Sequence, residues 1–239
     1  MIYLSSDYHF GHNKPFIYEP RGFTSVEEMN EAIVERHNKI VKPEDHVYLL
    51  GDLVLGDSLR NIEFVKRLNG SLHLVRGNHD TDTRWDIYRT HLNNIVEMNN
   101  AIYLDYKKYH FYLSHYPTIT SNNDYDKPLR QRLLNICGHS HTEDMWQDWD
   151  KGYIYHCEID AHNYPVLLDD IIFSFQEKIK ELPPKTEAEK MVEIYEYTQN
   201  MCNKCIWYHM PCAGPRLVND VASCATGQTY KSNSSYLIS

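Results

Sequence analysis

The amino-acid sequence predicts an α/β fold with a partly parallel sheet. Up to Asp80, short apolar runs alternate with segments whose apolar residues recur at helical spacing, which is the pattern of successive strand–helix–strand units. Of the 239 residues, 42% are hydrophobic and 24% are charged, a composition typical of a globular chain with a sizeable core. Alternation and composition together favour an α/β globular domain over a disordered chain.

The first half of this domain is predicted to contain three strands joined by two helices. The strands cover residues 1–6, 47–50 and 72–75, and the helices cover residues 26–40 and 58–68. The first helix has a defined start, because Ser25 and Glu28 match the S-x-x-E capping box. Its apolar face then follows at helical spacing, with Val26, Met29, Ile33, His37 and Ile40.

The second half is predicted to be mainly β-structure closed by a helix. Its strands cover residues 102–106, 110–114, 133–137, 153–159 and 166–168, and the first two form a hairpin. An amphipathic pattern from Ile171 to Leu182 predicts the closing helix, which ends at Pro183. Thr186 and Glu189 form a second capping box and predict a helix over 187–200. We therefore expect a globular domain of residues 1–182, a helical linker of residues 183–200 and a cysteine-rich tail of residues 201–239.

The tail contains four of the six cysteines, Cys202, Cys205, Cys212 and Cys224. The C-x2-C spacing of the first pair is typical of a zinc knuckle, whereas the second pair is too widely spaced for a regular zinc ribbon. His209 is an alternative ligand to Cys212. We expect one structural zinc ion here, with disulfides or free thiols as the alternatives, because so short a segment builds little core without a staple.

Charge and hydropathy narrow the class of protein. The formal net charge is −9, which does not favour a protein held to DNA or RNA by a basic face. No apolar run approaches the roughly 20 residues of a membrane-spanning helix. The sequence from Met1 also lacks a basic region followed by a long apolar stretch, as a secretory signal requires. We expect a cytoplasmic protein without a membrane partner.

Side chains able to bind a metal ion follow five of the predicted strands. They are Asp7, His9, Asp52, Asn78, His79, Asp80, His115, His139 and His141. Because the carboxyl ends of strands in an open α/β sheet border one crevice, side chains far apart in sequence are expected to meet there. The set offers oxygen and imidazole donors without cysteine, which suits Mn, Fe, Zn or Ni. Each motif alone is common, so their joint occurrence at strand ends is the specific signal.

These residues belong to five short motifs, which in chain order are D-x-H, G-D, G-N-H-D, S-H and G-H-x-H. They resemble the motifs of the calcineurin-like metallophosphoesterase family. The opening D-x-H-F-G-H, which begins at Asp7, is similar to that of a small bacterial and phage branch. The resemblance extends to about residue 180 and leaves the tail unexplained. It implies a two-sheet β-sandwich flanked by helices.

The resemblance also implies two divalent metal ions, each with its own ligands. The first ion would be held by Asp7, His9 and His141, and the second by Asn78, His115 and His139. Asp52 would bridge both ions, and its negative charge would offset their mutual repulsion. A neutral amide at Asn78 leaves the site with net positive charge for a phosphate.

The implied function is hydrolysis of a phosphodiester, with a metal-bridging hydroxide as the nucleophile. His79 would stabilise the transition state and protonate the leaving oxygen, and Asp80 would orient its ring and keep it protonated. The expected substrate is a phosphoester, with nucleotides and cyclic nucleotides as candidates. The alternative enzymes are a phosphomonoesterase and a nucleotide pyrophosphohydrolase.

Two alternatives of another kind remain at this point. One is a non-catalytic scaffold that uses the metal site to bind a partner, and the presence of His79 favours an enzyme over it. The other is a nuclease that binds nucleic acid through its basic tail, although the net charge of the whole chain does not favour nucleic acid as a partner. Two further residues are candidates for substrate binding, His12 and Arg21. Arg21 would clamp a phosphate as a bidentate donor, unless it is an ordinary surface arginine.

Overall fold

The structure is a computed structural model that describes residues 1–120, 127–147 and 154–180, together with three strands further along the chain. The chain divides into two compact units, Met1–Ile179 and Lys180–Ser239. In the second unit the described strands β11 (Pro215–Val218), β12 (Val221–Cys224) and β13 (Thr229–Tyr230) pair in that order as an antiparallel sheet, which the sequence did not predict. The predicted linker helix over 187–200 lies outside the described residues.

The first sheet of the larger unit is mostly parallel, as predicted. Its strands are β1 (Ile2–Ser5), β2 (His46–Leu49), β3 (Ser71–Val75), β4 (Ile95–Asn99) and β10 (Val166–Leu167). In space their order is β10-β1-β2-β3-β4, and β10 alone runs antiparallel to its neighbour. Each parallel connection in this sheet carries a helix, which is the usual crossover between parallel strands.

The helices of this unit lie between or after the strands. They are α1 (Pro15–Tyr18), α2 (Val26–Ile40), α3 (Ser58–Lys66), α4 (Asp82–His91), α5 (Ile159–His162) and α6 (Leu168–Lys180). At the start of α2 the Ser25 side chain accepts a hydrogen bond from the Glu28 amide at 3.2 Å, as the capping box predicts. The Glu28 carboxylate instead accepts from the amide and hydroxyl of Thr24, at 2.8 and 2.7 Å.

The second sheet combines a hairpin with three further strands. These strands are β5 (Ala101–Tyr106), β6 (Tyr109–Ser114), β7 (Leu133–Cys137), β8 (Trp146–Gln147) and β9 (Ile154–His156), in the spatial order β5-β6-β7-β9-β8. Two sheets with helices flanking them confirm the predicted fold class. In the described part of the chain no helix is both long and apolar enough to cross a membrane.

The first sheet is buried on both faces, which explains why its strands are continuous apolar runs. Successive side chains of a strand point to opposite faces. Thus Val47 and Leu49 join a core that includes residues of α2 and α3, whereas Tyr48 and Leu50 join a second core with residues of the second sheet and α6. The strands are therefore clamped, and their carboxyl ends are held in fixed positions.

Several elements differ from the sequence-based expectation. The strand predicted over 153–159 is described only as Ile154–His156, and α5 follows it. Asn163 ends α5 in the left-handed conformation, with φ of 64°. The sequence did not predict α4, because Tyr88 is its single buried residue and it lacks a regular apolar stripe. It also did not predict β4, which extends the parallel sheet.

Candidate metal centre

The loops that follow β1 and β2 remain paired beyond the strands, and this pairing starts the site. The Asp7 amide donates to the Gly51 carbonyl at 3.0 Å, and the His9 amide donates to the Asp52 carbonyl at 3.0 Å. Two loops from distant parts of the sequence therefore run side by side. They carry three of the predicted ligands within reach of one another.

Five predicted ligands have a backbone in the left-handed region. Their φ angles are 59° for Asp7, 53° for His9, 55° for Asp52, 75° for His139 and 49° for His141. A non-glycine residue at positive φ is uncommon and is strained by roughly 1–3 kcal/mol. The described residues include only three other positions of this kind outside glycine. Backbone strain is thus concentrated where sequence reasoning places the ligands.

Glycines precede three of the ligands because there is no room for a side chain. A Cβ atom at Gly77 would lie 2.1 Å from Asp52 Oδ1, and one at Gly138 would lie 2.2 Å from Asp7 Oδ2. The same atom at Gly51 would lie 2.6 Å from His115 Nδ1. The turns that carry the ligands therefore approach one another more closely than any larger residue allows.

Asp7, His9 and His141 converge and are called the first ligand group. His9 Nε2 lies 3.0 Å from His141 Nε2. Asp7 Oδ1 lies 3.6 Å from the former nitrogen and 3.8 Å from the latter. Two donors that share an ion at about 2.0–2.2 Å lie roughly 3–3.5 Å apart, so these spacings are close to those of ligands around one cation.

Asn78, His115 and His139 converge in the same way and are called the second ligand group. The Asn78 Oδ1 atom lies 2.8 Å from His115 Nε2 and 2.9 Å from His139 Nδ1. The two ring nitrogens lie 3.2 Å apart. Asp52 joins the two groups, because its Oδ2 atom is 3.8 Å from His9 Nε2 and 3.6 Å from His115 Nε2.

The donors at the floor of the site fit a cation. Asp7 Oδ1 is buried and finds no hydrogen-bond partner among the residues that the structure describes, which is costly for a carboxylate unless a positive charge is present. Asp7, His9, Asp52 and His115 are all buried, whereas Asn78 and His141 reach solvent. The site is therefore a buried floor of ligands with a rim open to substrate.

Burial and neighbouring charges shift the pKa values of the donors, and the shifts differ in direction. Burial lowers the pKa of His9 to about 4, and burial followed by the charge of His115 lowers the pKa of His139. Burial opposes ionisation of Asp7, but the adjoining imidazoles hold its pKa below the ordinary value. Burial raises the pKa of Asp52 to about 6. Neutral imidazoles and an ionised carboxylate are the forms that bind metal. The shifts of His9, His139 and Asp7 therefore favour binding, whereas burial of Asp52 opposes its ionisation until a positive charge is bound.

The two groups are supported by different outer contacts. His141 Nδ1 lies 3.0 Å from Asp160 Oδ2, and Arg21 grips the same carboxylate through Nε and Nη2 at 2.8 and 2.7 Å. The Arg21 Nη2 atom also donates to the Asp7 carbonyl at 2.9 Å. In the second group, His115 Nδ1 donates to the Leu50 carbonyl at 2.9 Å, which leaves its Nε2 lone pair free.

Comparison with known proteins identifies the family. The model of the calcineurin-like phosphoesterase superfamily domain matches residues 1–155. The chain belongs to the calcineurin-like phosphoesterase superfamily. The resemblance inferred from the motifs is thereby confirmed. Members of this superfamily use divalent metal ions, which agrees with the donor set described above.

Three similar proteins extend this result. An uncharacterized protein of Methanocaldococcus jannaschii is 43% identical over 81 residues, which are 33% of this chain and 46% of that protein. The chain therefore spans less than half the length of that relative. The Gene 66 protein of Mycobacterium phage L5 is 24% identical over 191 residues, covering 71% of this chain and 91% of the phage protein.

A crystal structure of a protein of unknown function from Aquifex aeolicus is also similar. Its TM-score is 0.55 and its identity is 25%, over 72% of this chain and 98% of that one. This likeness supports the fold of the calcineurin-like domain described here.

In this calcineurin-like domain Arg21 does not have the role that we predicted. Its side chain is only 4% exposed and is committed to Asp160 and to main-chain carbonyls. It is therefore not available to clamp a substrate phosphate. Asp160 was absent from the predicted site residues because it follows no ligand motif. The signal that could have identified it is a carboxylate shortly after β9, in α5, which lies close in the fold to the loop of His141.

Asp80 also has a different role. Its Oδ2 atom accepts from the amides of Asp52 and Gly77 at 2.9 and 2.8 Å, and its Oδ1 atom accepts from the Tyr88 hydroxyl at 2.7 Å. These bonds brace the two turns that carry Asp52 and Asn78. Among the described residues Asp80 forms no hydrogen bond or ion pair with the ring of His79, and both of its oxygens are used elsewhere, so the predicted orienting role is corrected.

The remaining predicted residues lie at the rim of the site or outside the residues that the structure describes. The His79 side chain is 45% exposed, with Nε2 at 4.0 Å from Asp52 Oδ2. His12 lies beside this rim, with its ring centroid 5.3 Å from that of His9 and 6.4 Å from that of His79. Cys202, Cys205 and Cys212 lie outside the described residues, and Cys224 is described only as the last residue of β12.

Proposed function

We propose that this protein is a divalent-metal-dependent hydrolase of phosphodiesters. The observation that carries the proposal is the position of the Asp52 carboxylate. Its Oδ2 atom lies within 3.8 Å of a ring nitrogen from each ligand group. A single carboxylate shared by two sets of donors is the arrangement that holds two ions close together.

The ligand groups would each hold one ion, with Asp52 shared. Once bound, two divalent ions supply Lewis acidity and generate a nucleophile from water at neutral pH. The protein residues determine where a phosphate can sit. Asp7, Asp52 and His115 form a buried floor, whereas Asn78 and His141 reach solvent, so the substrate would approach from their side.

His79 is suited to protonate the leaving oxygen. Its amide donates to Asp52 Oδ1 at 2.8 Å, which fixes the backbone beside the shared carboxylate. Arg84 donates to the His79 carbonyl from the other side of the residue. The ring itself projects toward the rim and remains partly exposed, where it can reach a departing group. A positioned general acid contributes about 10²–10⁴-fold to rate.

Charge supports a diester over a monoester. A diester carries one negative charge and a monoester carries close to two near neutral pH, so a monoester gains more from an arginine clamp. Arg21, the arginine predicted for this task, is instead held in the buried pair with Asp160. An open rim also accommodates the two substituents of a diester.

Parallel assays of the purified, Mn-loaded protein test this proposal. We expect bis(4-nitrophenyl) phosphate to be hydrolysed with a kcat/KM well above that for 4-nitrophenyl phosphate, and a chelator to abolish the activity. Preference for the monoester would favour the phosphomonoesterase alternative. Preference for dinucleotide polyphosphates would favour a pyrophosphohydrolase. Bound metal without hydrolysis of any substrate would support the non-catalytic scaffold.

A further inference from the structure

A second cluster of metal-binding side chains lies on the first sheet, away from the candidate metal centre. His46 is the first residue of β2, so it lies at the strand's amino end, whereas the ligands follow the carboxyl ends. His73 on β3 and Glu97 on β4 complete the cluster. His46 is exposed, and His73 is 6% exposed. None of these residues has a role in the proposed hydrolysis.

The two histidines face each other through their ring nitrogens. His46 Nδ1 lies 3.0 Å from His73 Nε2. The other nitrogen of His73, Nδ1, lies 2.7 Å from Glu97 Oε1. Because a carboxylate accepts, His73 Nδ1 carries the proton and Nε2 presents a lone pair toward His46. The tautomer that a metal ligand needs is therefore set by Glu97.

The ring of His73 is held in place from further directions. The Tyr48 ring stacks on it with a centroid distance of 4.2 Å and an interplanar angle of 18°. Asn99 donates to Glu97 Oε2 at 2.8 Å and so fixes the carboxylate. A register shift between Leu72 and His73 places Glu97, rather than Val96, opposite His73. Such bulges redirect a side chain to a chosen face.

The same arrangement occurs in the first ligand group. There, His9 Nε2 and His141 Nε2 are also 3.0 Å apart, and Asp160 occupies the second nitrogen of His141 at 3.0 Å. In both places a carboxylate orients one histidine whose free nitrogen meets a second histidine. Carboxylate–histidine pairs of this kind orient metal ligands and raise their basicity.

We propose that His46 Nδ1 and His73 Nε2 bind one transition-metal ion, with water completing its coordination. Donors about 2.0–2.1 Å from an ion and 3.0 Å apart subtend an angle of about 91–97° at the metal. That angle suits octahedral Ni²⁺ or tetragonal Cu²⁺ better than tetrahedral Zn²⁺. The exposed ring of His46 provides the path of entry. The competing explanation is a plain hydrogen bond from His46 to His73.

The site can be tested with Ni²⁺ as the probe. The full chain is treated with diethyl pyrocarbonate, with and without Ni²⁺, and carbethoxylation of His46 is measured by peptide mass spectrometry. Without metal, His46 Nε2 is unprotonated and should react. With Nδ1 on the ion, the proton moves to Nε2 and the reaction should stop. His110 is the internal control, because it faces Asp105 at 2.5 Å and the exposed Tyr103 but forms no such pair with a second histidine among the described residues.

Variants separate the metal site from the hydrogen bond. His73→Gln should abolish protection of His46 by Ni²⁺, and Glu97→Gln should raise the Ni²⁺ concentration needed by about 10–100-fold. The matched Asp105→Asn variant should change neither. Since Glu97 is partly exposed, its variant keeps the test valid if His73→Gln does not fold. Unchanged reactivity of His46 in Ni²⁺, or protection that survives both variants, would overturn the proposal.

Discussion

The two ligand groups of the candidate metal centre are built by different means. In the first group, His141 depends on side chains, since Asp160 orients its ring and Arg21 holds Asp160. In the second group, His115 is oriented by a main-chain carbonyl at the end of β2. A backbone contact survives most substitutions, whereas a buried ion pair fails when either partner is lost. We therefore expect metal binding by the first group to be more sensitive to substitution of its outer residues than metal binding by the second.

The largest effect is expected where the two groups meet. Asp52→Asn should reduce turnover to background, because a neutral amide leaves two ions repelling each other. The fold should persist, since the amide oxygen of Asn can still accept the hydrogen bond that the His79 amide donates to Asp52 Oδ1, at 2.8 Å in the present structure. Metal content and melting temperature measured together check this. Two tightly bound ions with near-normal turnover would show that Asp52 does not bridge.

The next effect concerns a residue of neither group. His79→Ala should slow an alkyl diester by about 10²–10⁴-fold and a nitrophenyl diester far less, because a poor leaving group needs the proton more. Metal content should stay at the wild-type level for both groups. Equal losses for both substrates would indicate that His79 stabilises phosphoryl charge rather than donating a proton. No loss with either would revive the scaffold interpretation.

The variant Asp160→Asn tests directly whether the two ligand groups are supported independently. Loss of this carboxylate, which contacts His141, should weaken binding of the ion in the first ligand group by about 10–100-fold. Binding of the ion in the second ligand group should stay nearly unchanged. Metal titration by calorimetry distinguishes the two. Asp169→Asn is the matched control, because Asp169 pairs with Lys107 at an exposed site, where such pairs contribute little. Equal weakening of both ions would show that the groups are not independently supported.

The smallest effect on hydrolysis is expected from the tail. The double variant Cys202→Ser with Cys205→Ser should remove close to one zinc ion per chain, as the C-x2-C spacing predicts. Hydrolysis of a small diester should stay near wild type. Loss of the catalytic metals in this variant would contradict the prediction that the tail and the candidate metal centre bind metal independently. It would show that the tail supports the ligand groups.

Sequence reasoning performed best where one physical signal dominated. The helix predicted over 26–40 is observed as Val26–Ile40, because a capping box and a regular apolar stripe coincide there. The helix Asp82–His91 was not predicted, since it buries little of its surface. The roles of Arg21 and Asp80 were assigned incorrectly for a different reason. Arg21 pairs with Asp160 from a distant segment. Asp80 belongs to the G-N-H-D motif, but its oxygens accept from the amides of Asp52 and Gly77 and from the Tyr88 hydroxyl, and the motif does not specify these partners.

The sequence by itself determined the family, the fold class and the order of the ligand motifs, because periodicity and short motifs are local properties of the chain. The tertiary structure decided which side chains meet. Asp160 lies 139 residues from Arg21, and Glu97 faces His73 only through a shifted strand register. No local pattern encodes such contacts, since they arise when strands and loops pack. The left-handed backbone at the ligands is likewise a consequence of packing around the site.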